Sequence, residues 1–280
     1  MKILLTGASG QLAKELQKLF KSKNIDFAAP DEKILDITDR EKVKTAVSAY
    51  NPTHIINCAA YNLVDDAEEN REKAFLINRD GVEILAEESG KIGAFFTHFG
   101  TDYVFDGAKN DFYTEADKPN PLNKYAQSKY EGEEKAKLAK KNLILRLSWV
   151  IGEGTQNFLY KLNQWSKNNR TLKISSDEVS VPTFTFDIAD VCLKSLENDL
   201  QGTYHLTNSG YASRYELAKL YFKLKKLNNV IIPVPMDSFQ SKAVRPHFTA
   251  MSNALISSKL KIEIPSWEES LEKYIREYDN

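Results

Sequence analysis

The feature that most constrains the fold is an alternation, across the first half of the chain, of short apolar runs with charged segments of helical spacing. The apolar runs occupy 2–5, 26–29, 53–58, 94–98 and 143–148, and the charged segments occupy 11–23, 39–50, 65–90 and 128–140. Strands that are apolar throughout pair in parallel when helices cover both faces of their sheet. The pattern therefore predicts an α/β fold with a doubly wound parallel sheet up to about residue 150.

The second half of the chain is less regular. Its spacing predicts helices near 157–167, 187–198, 213–225 and 266–278, a short strand at 172–175, and an extended loop from Pro233 to Met251. We expect residues 151–280 to form a smaller, mixed α/β subdomain that binds substrate. Some of its segments are expected to return to the core of the first half.

Charge and composition exclude several classes of partner. With 38 Lys plus Arg against 39 Asp plus Glu, the net charge of −1 gives no long-range field for nucleic acid. No apolar run approaches the roughly 18 residues that span a bilayer, and 1–5 is too short for a signal peptide. Cys58, Cys192 and the four histidines show no disulfide framework or metal-ligand spacing. We expect a cytoplasmic protein with no metal, nucleic-acid or membrane partner.

A glycine-rich turn lies between the first apolar run and the first helical segment. Its sequence is Gly7-Ala8-Ser9-Gly10, and the small Ala13 follows three residues later. Glycines let the backbone turn tightly and let amide N–H groups approach a pyrophosphate at the positive end of the helix. The strand–turn–helix context predicts an NAD(P)-binding, Rossmann-type core over residues 1–150.

A second motif, Tyr125-Ala126-Gln127-Ser128-Lys129, places a phenol and an ammonium group on one face of a helix. An ammonium beside a phenol stabilises the phenolate and lowers the pKa of the tyrosine, which suits proton donation to a ketone oxygen as hydride reaches carbon. Tyrosine and lysine at this spacing also occur by chance in most long chains.

A third motif, Phe99 to Gly107, follows the fourth apolar run, where a doubly wound sheet binds its ligands. Thr101 is suited to hydrogen-bonding a substrate carbonyl and Asp102 to hydrogen-bonding a sugar hydroxyl, unless both only satisfy backbone groups of the loop. The three motifs together fall where a Rossmann-type reductase needs them.

These motifs resemble the extended short-chain dehydrogenase/reductase superfamily, and a longer ordered set resembles the dTDP-4-dehydrorhamnose reductase family. That set consists of Leu35–Asp39, Asn57–Tyr61, Thr101–Gly107, Ser148-Trp149, Asn157-Phe158, Val181–Thr183, Arg245-Pro246 and Pro265–Trp267. The resemblance implies reduction of the 4-keto group of a nucleotide-activated 6-deoxysugar, dTDP-4-dehydro-L-rhamnose to dTDP-L-rhamnose. It favours NADPH; NADH is the alternative, because Asp31 and Lys33 near the second strand end favour opposite cofactors. A homodimer is left open.

The resemblance also implies roles for individual residues. Tyr125 would donate the proton, Lys129 would bind the nicotinamide ribose and lower the pKa of Tyr125, and Thr101 would orient the keto oxygen. Cofactor contacts would come from Gly7, Gly10, Gln11 and Leu12 at the pyrophosphate, Asp36 and Ile37 at the adenine, and Ala60, Tyr61, Asn62 and Phe99 along the sheet edge. Asp102 and Trp149 would contact the deoxysugar, and Arg245 would meet the substrate diphosphate.

Four positions depart from the family pattern. Gly100 replaces a serine, Asn62 a threonine, Ile151 an aromatic residue and Val181 a glycine. None belongs to the catalytic set, so the departures concern the identity of the substrate. They keep open a related sugar-nucleotide reductase or epimerase. A non-catalytic NADP-binding regulatory subunit is a further alternative, against which the intact proton donor argues.

Overall fold

The structure of the chain, a computed structural model, describes residues 1–279. Its strands are β1 (Lys2–Thr6), β2 (Asp26–Ala28), β3 (His54–Asn57), β4 (Phe95–Thr101), β5 (Asn142–Leu147), β6 (Val150–Ile151), β7 (Thr171–Ser175), β8 (Val179–Ser180), β9 (Thr183–Phe184), β10 (Gly202–His205), β11 (Ala212–Ser213) and β12 (Val230–Val234). Its helices are α1 (Gln11–Ser22), α2 (Arg40–Tyr50), α3 (Asp66–Glu69), α4 (Arg71–Phe75), α5 (Gly81–Ile92), α6 (Lys124–Ala136), α7 (Phe158–Asn168), α8 (Thr185–Glu197), α9 (Arg214–Leu224), α10 (Ala254–Leu260) and α11 (Trp267–Tyr278).

The main sheet has six parallel strands in the order β10-β5-β4-β3-β1-β2. The strand order reverses between β1 and β3, and ligands of such sheets bind beyond the carboxyl ends of the strands at this point. The predicted α/β fold class, with its doubly wound parallel sheet, is confirmed. No helix within residues 1–279 has the length and apolar composition needed to cross a bilayer.

Apolar layers on both faces hold the sheet in place. On one face α1 and α8 pack together and share a buried cluster with Phe20, Leu145 and Ile188. On the other face α2, α5 and α6 cover a cluster that contains Val43 and Phe96. Because strands buried on both faces read as continuous apolar runs, these strands could be located from the sequence.

A second layer is built around α7, α9 and α11 and the two-stranded parallel sheet of β7 and β12. Its buried cluster includes Leu162, Tyr221 and Trp267. Capping boxes begin two of its helices: Ser213 with Glu216 at α9, and Ser266 with Glu269 at α11.

The structure corrects several element boundaries. Helix α6 begins at Lys124 rather than residue 128, because the side chain of Asn123 accepts the Ala126 amide and caps it. The predicted helix over 65–90 is divided into α3, α4, a π-helical turn over Leu76–Asp80 and α5. The loop predicted from Pro233 contains the end of β12, and β10 is an unpredicted strand of the main sheet.

Candidate active site

A cavity of about 570 Å³ opens at the carboxyl ends of β1, β3 and β4, where the strand order reverses. It brings together most of the residues that the sequence singled out. Those that line it are Gly10, Gln11, Leu12, Ala60, Asn62, Phe99, Thr101, Asp102, Tyr125, Lys129 and Trp149.

The glycine turn forms one end of this cavity. Gly7 has φ +65°, and a Cβ there would lie 2.5 Å from the backbone nitrogen of Ala59, so the turn and the segment after β3 are in close contact. Gly10 is the N-cap of α1 and offers no side chain to the amides of the first turn. Uncapped amides at a helix N-terminus fit the pyrophosphate of a dinucleotide.

The side chains suited to proton transfer come from two neighbouring elements. Thr101 ends β4, while Tyr125 and Lys129 lie one turn apart on α6, whose start is fixed by its Asn123 cap. The hydroxyls of Thr101 and Tyr125 are hydrogen-bonded to each other. The Lys129 ammonium donates to the Phe99 carbonyl at 2.6 Å. These contacts place the phenol and the ammonium group against the end of β4.

The charge states of this group differ from the sequence expectation. Burial raises the pKa of Tyr125 to about 12; the hydrogen bond with Thr101 opposes this rise, and the charge of Asp102 adds to it. Burial lowers the pKa of Lys129 to about 8, against the opposing effect of Glu133. The pKa of Tyr125 is therefore raised rather than lowered as predicted, because desolvation is the largest effect on the phenol in this structure.

Asp102 is held in a cage of hydroxyl groups. Its Oδ2 accepts from Thr249 at 2.6 Å, Ser180 at 2.7 Å and Ser148 at 3.1 Å, and its Oδ1 accepts from Thr101 at 3.3 Å. Burial raises the pKa of Asp102, and these hydroxyls oppose the rise. The carboxylate thus orients the Thr101 hydroxyl and joins β4 to the second layer.

A second cavity, of about 470 Å³, adjoins the first and shares Asn62, Trp149 and Arg214 with it. Its charged lining residues are four cations and one carboxylate: Lys161, Lys173, Arg214, Arg245 and Glu178. Its aromatic lining residues include Trp149, Phe158, Trp165 and Phe239. Cations beside aromatic faces suit a ligand that combines a phosphate group with a flat ring.

Trp149 forms the boundary between the two cavities. It has φ +36°, which is rare for a bulky residue, and its indole N–H has no hydrogen-bond partner among residues 1–279. The Arg214 guanidinium lies 3.5 Å from the centroid of its ring and also pairs with Glu178 at 3.3 Å. The arginine therefore fixes the indole at the junction of the cavities.

Arg245 is another cation that lines the second cavity. Its guanidinium donates to Asp65 at 3.1 and 2.6 Å in a bidentate pair. Burial lowers the pKa of Arg245, but the pairing with Asp65 outweighs this and raises it. Asp65 also accepts the amides of Lys242 and Ala243, so it holds the loop after β12 against α3.

The remaining predicted residues lie outside the lining of the first cavity. Gly7 begins the glycine turn but does not line the cavity. The Asp36 carboxylate accepts the amide and hydroxyl of Thr38. Ile37 is buried against Gly81 of α5. Tyr61 is buried beside Tyr125, and its hydroxyl donates to Asp66.

Sequence reasoning missed four charged residues of the second cavity, Lys161, Lys173, Glu178 and Arg214. The helix near 213–225 was predicted, but nothing local to position 214 indicates contact with a tryptophan 65 positions earlier in the chain. No group of three or more His, Cys, Asp or Glu side chains within residues 1–279 could hold a metal ion.

Comparison with known proteins agrees with this geometry. The spore coat polysaccharide biosynthesis protein SpsK of Bacillus subtilis is 35% identical over 277 residues, 99% of this chain and 97% of that protein. The dTDP-4-dehydrorhamnose reductase of Aggregatibacter actinomycetemcomitans is 34% identical over 99% of both chains. The crystal structure of dTDP-4-dehydrorhamnose reductase from Bacillus anthracis, in complex with NADP, has a TM-score of 0.96 at 35% identity and covers 99% of this chain and 100% of that one. The family model for the RmlD substrate binding domain matches residues 1–280. This chain belongs to the dTDP-4-dehydrorhamnose reductase family.

Proposed function

We propose that the protein is an NADPH-dependent reductase of the 4-keto group of a dTDP-activated 6-deoxysugar, with dTDP-4-dehydro-L-rhamnose as substrate and dTDP-L-rhamnose as product. The observation that carries the proposal is the junction of the two cavities. A buried Thr101–Tyr125–Lys129 group opens directly into a space lined by cations and aromatic rings.

The chemistry required of the protein is to hold the keto oxygen and protonate it. The bound nicotinamide supplies the hydride that reaches the carbonyl carbon. With a pKa of about 12, Tyr125 is protonated at neutral pH and can donate its phenolic proton to the forming alkoxide. Thr101, whose hydroxyl is held by Asp102, orients the same substrate oxygen. Lys129 is charged at neutral pH and favours negative charge left on the phenol.

The substrate nucleotide fits the second cavity. A diphosphate needs cationic partners, and Arg214 and Arg245 both line this space. Thymine can stack on the aromatic lining residues, and the sugar then lies at Trp149, between the nucleotide and Tyr125. The predicted contacts of Asp102 and Trp149 with the sugar are part of this proposal, as is the division into a cofactor-binding core and a substrate subdomain.

NADPH is favoured over NADH by the surroundings of β2. The Asp31 carboxylate accepts the amides of Lys33 and Ile34, so it caps its own turn. The Lys42 ammonium lies 3.5 Å from the Lys33 carbonyl, so this cation lies against the turn that follows β2. Cations near this strand end suit a 2′-phosphate.

The proposal is tested by following absorbance at 340 nm with NADPH and dTDP-4-dehydro-L-rhamnose. We expect substrate-dependent NADPH oxidation that falls by about 1,000-fold in Tyr125→Phe, because the general acid is removed without a change in shape. Tyr130→Phe, on the same helix, is the matched control and should retain activity. The unepimerised dTDP-4-keto-6-deoxy-D-glucose and NADH are run in parallel to define specificity.

Four results would overturn parts of the proposal. Oxidation that survives in Tyr125→Phe would reject the proton donor. Faster turnover of dTDP-4-keto-6-deoxy-D-glucose would identify that sugar nucleotide as the substrate instead. NADPH binding without oxidation of either sugar would favour a non-catalytic, NADP-binding subunit, and NADH preference would reject the cofactor assignment.

A further inference from the structure

Gly100 lies between the two residues of β4 that contact the catalytic side chains. A Cβ at position 100 would be 2.2 Å from Oε1 of Glu133 and 3.0 Å from Cγ of Arg146. Both side chains are buried, with Glu133 1% and Arg146 6% exposed. The missing side chain at Gly100 therefore leaves the space that a buried carboxylate occupies.

That carboxylate is fixed by a buried ion pair. Glu133 accepts from Nε of Arg146 at 3.0 and 3.2 Å and from Nη2 at 2.8 Å. Arg146, on β5, extends to His205 of β10 at 3.5 Å and lies over the ring of Phe105. Burying two charges costs desolvation energy, and apolar residues of the same volume often stabilise a fold as well or better. Stability alone is a weak reason for this pair.

The position of Glu133 on α6 suggests another reason. Tyr125, Lys129 and Glu133 follow each other at intervals of four, so they share one face of the helix. Each contacts the end of β4: Tyr125 at Thr101, Lys129 at the Phe99 carbonyl and Glu133 at Gly100. Glu133 therefore lies one helical turn beyond Lys129, on the same face of α6.

We infer that Glu133, held by Arg146 in the space left by Gly100, is a positioning residue. It keeps Lys129 in its ammonium form and against the Phe99 carbonyl of β4. The inference rests on the proposed function, which uses that charge beside the proton donor. It is distinct from substrate contact, because Glu133 does not line either cavity.

The other groups around Lys129 do not supply this charge. Cys58, after β3, and His98, on β4, interact with Lys129 electrostatically. Burial raises the pKa of Cys58 and lowers that of His98, so both are neutral at pH 7. Tyr125 is protonated as well. Glu133 opposes the effect of burial on the pKa of the lysine. The other charged group on this side is the Arg146 guanidinium of β5, which is paired with Glu133 at 2.8 Å.

The test is an NMR titration of the Lys129 side chain in the full chain labelled with ¹³C,¹⁵N-lysine, without cofactor or substrate. The signal is assigned by its loss in Lys129→Arg. We expect Glu133→Gln, which keeps the shape of the side chain, to lower the pKa of Lys129 by about one unit. Glu131→Gln, on the same helix but paired with Arg79, removes the same charge and should leave the pKa unchanged.

The double variant Glu133→Gln/Arg146→Met removes both charges of the ion pair, so neither is left without its partner, and it decides the matter if the single variant unfolds. It should also lower the pKa of Lys129, because Glu133 is the group that acts on the lysine. A Lys129 pKa that stays at the wild-type value in these variants, whatever their thermal stability, would overturn the inference.

A second measurement separates this inference from the proposed function. NADPH affinity, followed by fluorescence against pH, should weaken at about one pH unit lower in Glu133→Gln than in wild type. If the wild-type protein reduces no keto-sugar, the proposed function fails while both measurements still report on Glu133. If reduction is seen and neither measurement shifts, only the inference fails.

Discussion

The two cavities are built in opposite ways. The first is bounded by the ends of parallel strands and by buried side chains: Thr101, Tyr125 and Lys129 are 5%, 9% and 4% exposed. The second is bounded by loops, short strands and long cationic side chains, and its Trp165 and Phe239 are 41% and 43% exposed. A buried, hydrogen-bonded wall fixes the reacting atoms, whereas a partly solvated cationic wall supplies binding energy. Substitutions in the first should therefore change kcat, and those in the second should change KM.

The largest effect is expected where the first cavity depends on backbone geometry. Gly7→Ala should lower the free energy of unfolding by about 3 kcal/mol, because it places a Cβ in a left-handed conformation and against the Ala59 backbone. Gly90→Ala in α5, which meets nothing within 4 Å, should instead raise stability by about 0.5–1 kcal/mol. Urea unfolding measures both. Equal effects would show that the turn tolerates a side chain.

A smaller effect is expected at the hydroxyl beside the proton donor. Thr101→Val should lower kcat about 100-fold with little change in KM, because it removes the hydrogen bond to Tyr125 and keeps the shape. Thr97→Val, earlier on β4, is the control, since its buried hydroxyl has no partner within residues 1–279. Steady-state kinetics that show a change in KM alone for Thr101→Val would contradict the division between the cavities.

Substitutions in the second cavity should change KM rather than kcat. Arg214→Gln should raise KM for the sugar nucleotide about tenfold and leave kcat within a few-fold, because one of four cations is lost from the nucleotide space. Arg276→Gln, which lines neither cavity, is the control for removal of a positive charge. A fall in kcat equal to the rise in KM would assign Arg214 to the reacting centre through Trp149.

The smallest effect is a pH dependence that belongs to the first cavity alone. Burial lowers the pKa of Lys129 to about 8, so the ammonium form that supports catalysis is present at pH 7 and is lost as the pH rises. The kcat/KM, which reports the free enzyme, should fall by roughly half between pH 7 and 8 and about tenfold per unit above that. Rates measured from pH 6.5 to 9.5 at substrate concentrations below KM test this. A flat profile would show that the charge is not needed.

The first cavity was largely predictable from the sequence, because its residues follow strands that are buried on both faces. Thr101 follows an apolar run, and Tyr125 and Lys129 share a helical spacing, so local pattern placed them together. What could not be predicted is the protonation equilibrium. The pKa of Tyr125 depends on how deeply the phenol is buried, and burial is a property of the whole fold.

The second cavity was predictable only in part, because its residues come together through irregular segments. Arg245 was identified through resemblance, but its pairing with Asp65 joins positions that are 180 residues apart. Arg214 and Trp149 likewise come from separate segments. β10 escaped prediction because Gly202–His205 carries polar side chains and gains its place by pairing with β5. Long-range contacts of this kind leave no periodic signal.

The late arrival of β10 and α8 has a consequence for the nascent protein. The apolar layer that covers α1 is completed by residues of α8 and by Ile256 and Ile264, which the ribosome adds after the first half of the chain. Until β10 has been added, β5 is an open strand edge, and until α8 has been added, one face of the sheet is uncovered. Such edges and faces invite aggregation. The emerging first half therefore exposes aggregation-prone apolar surface until these later segments have been synthesised.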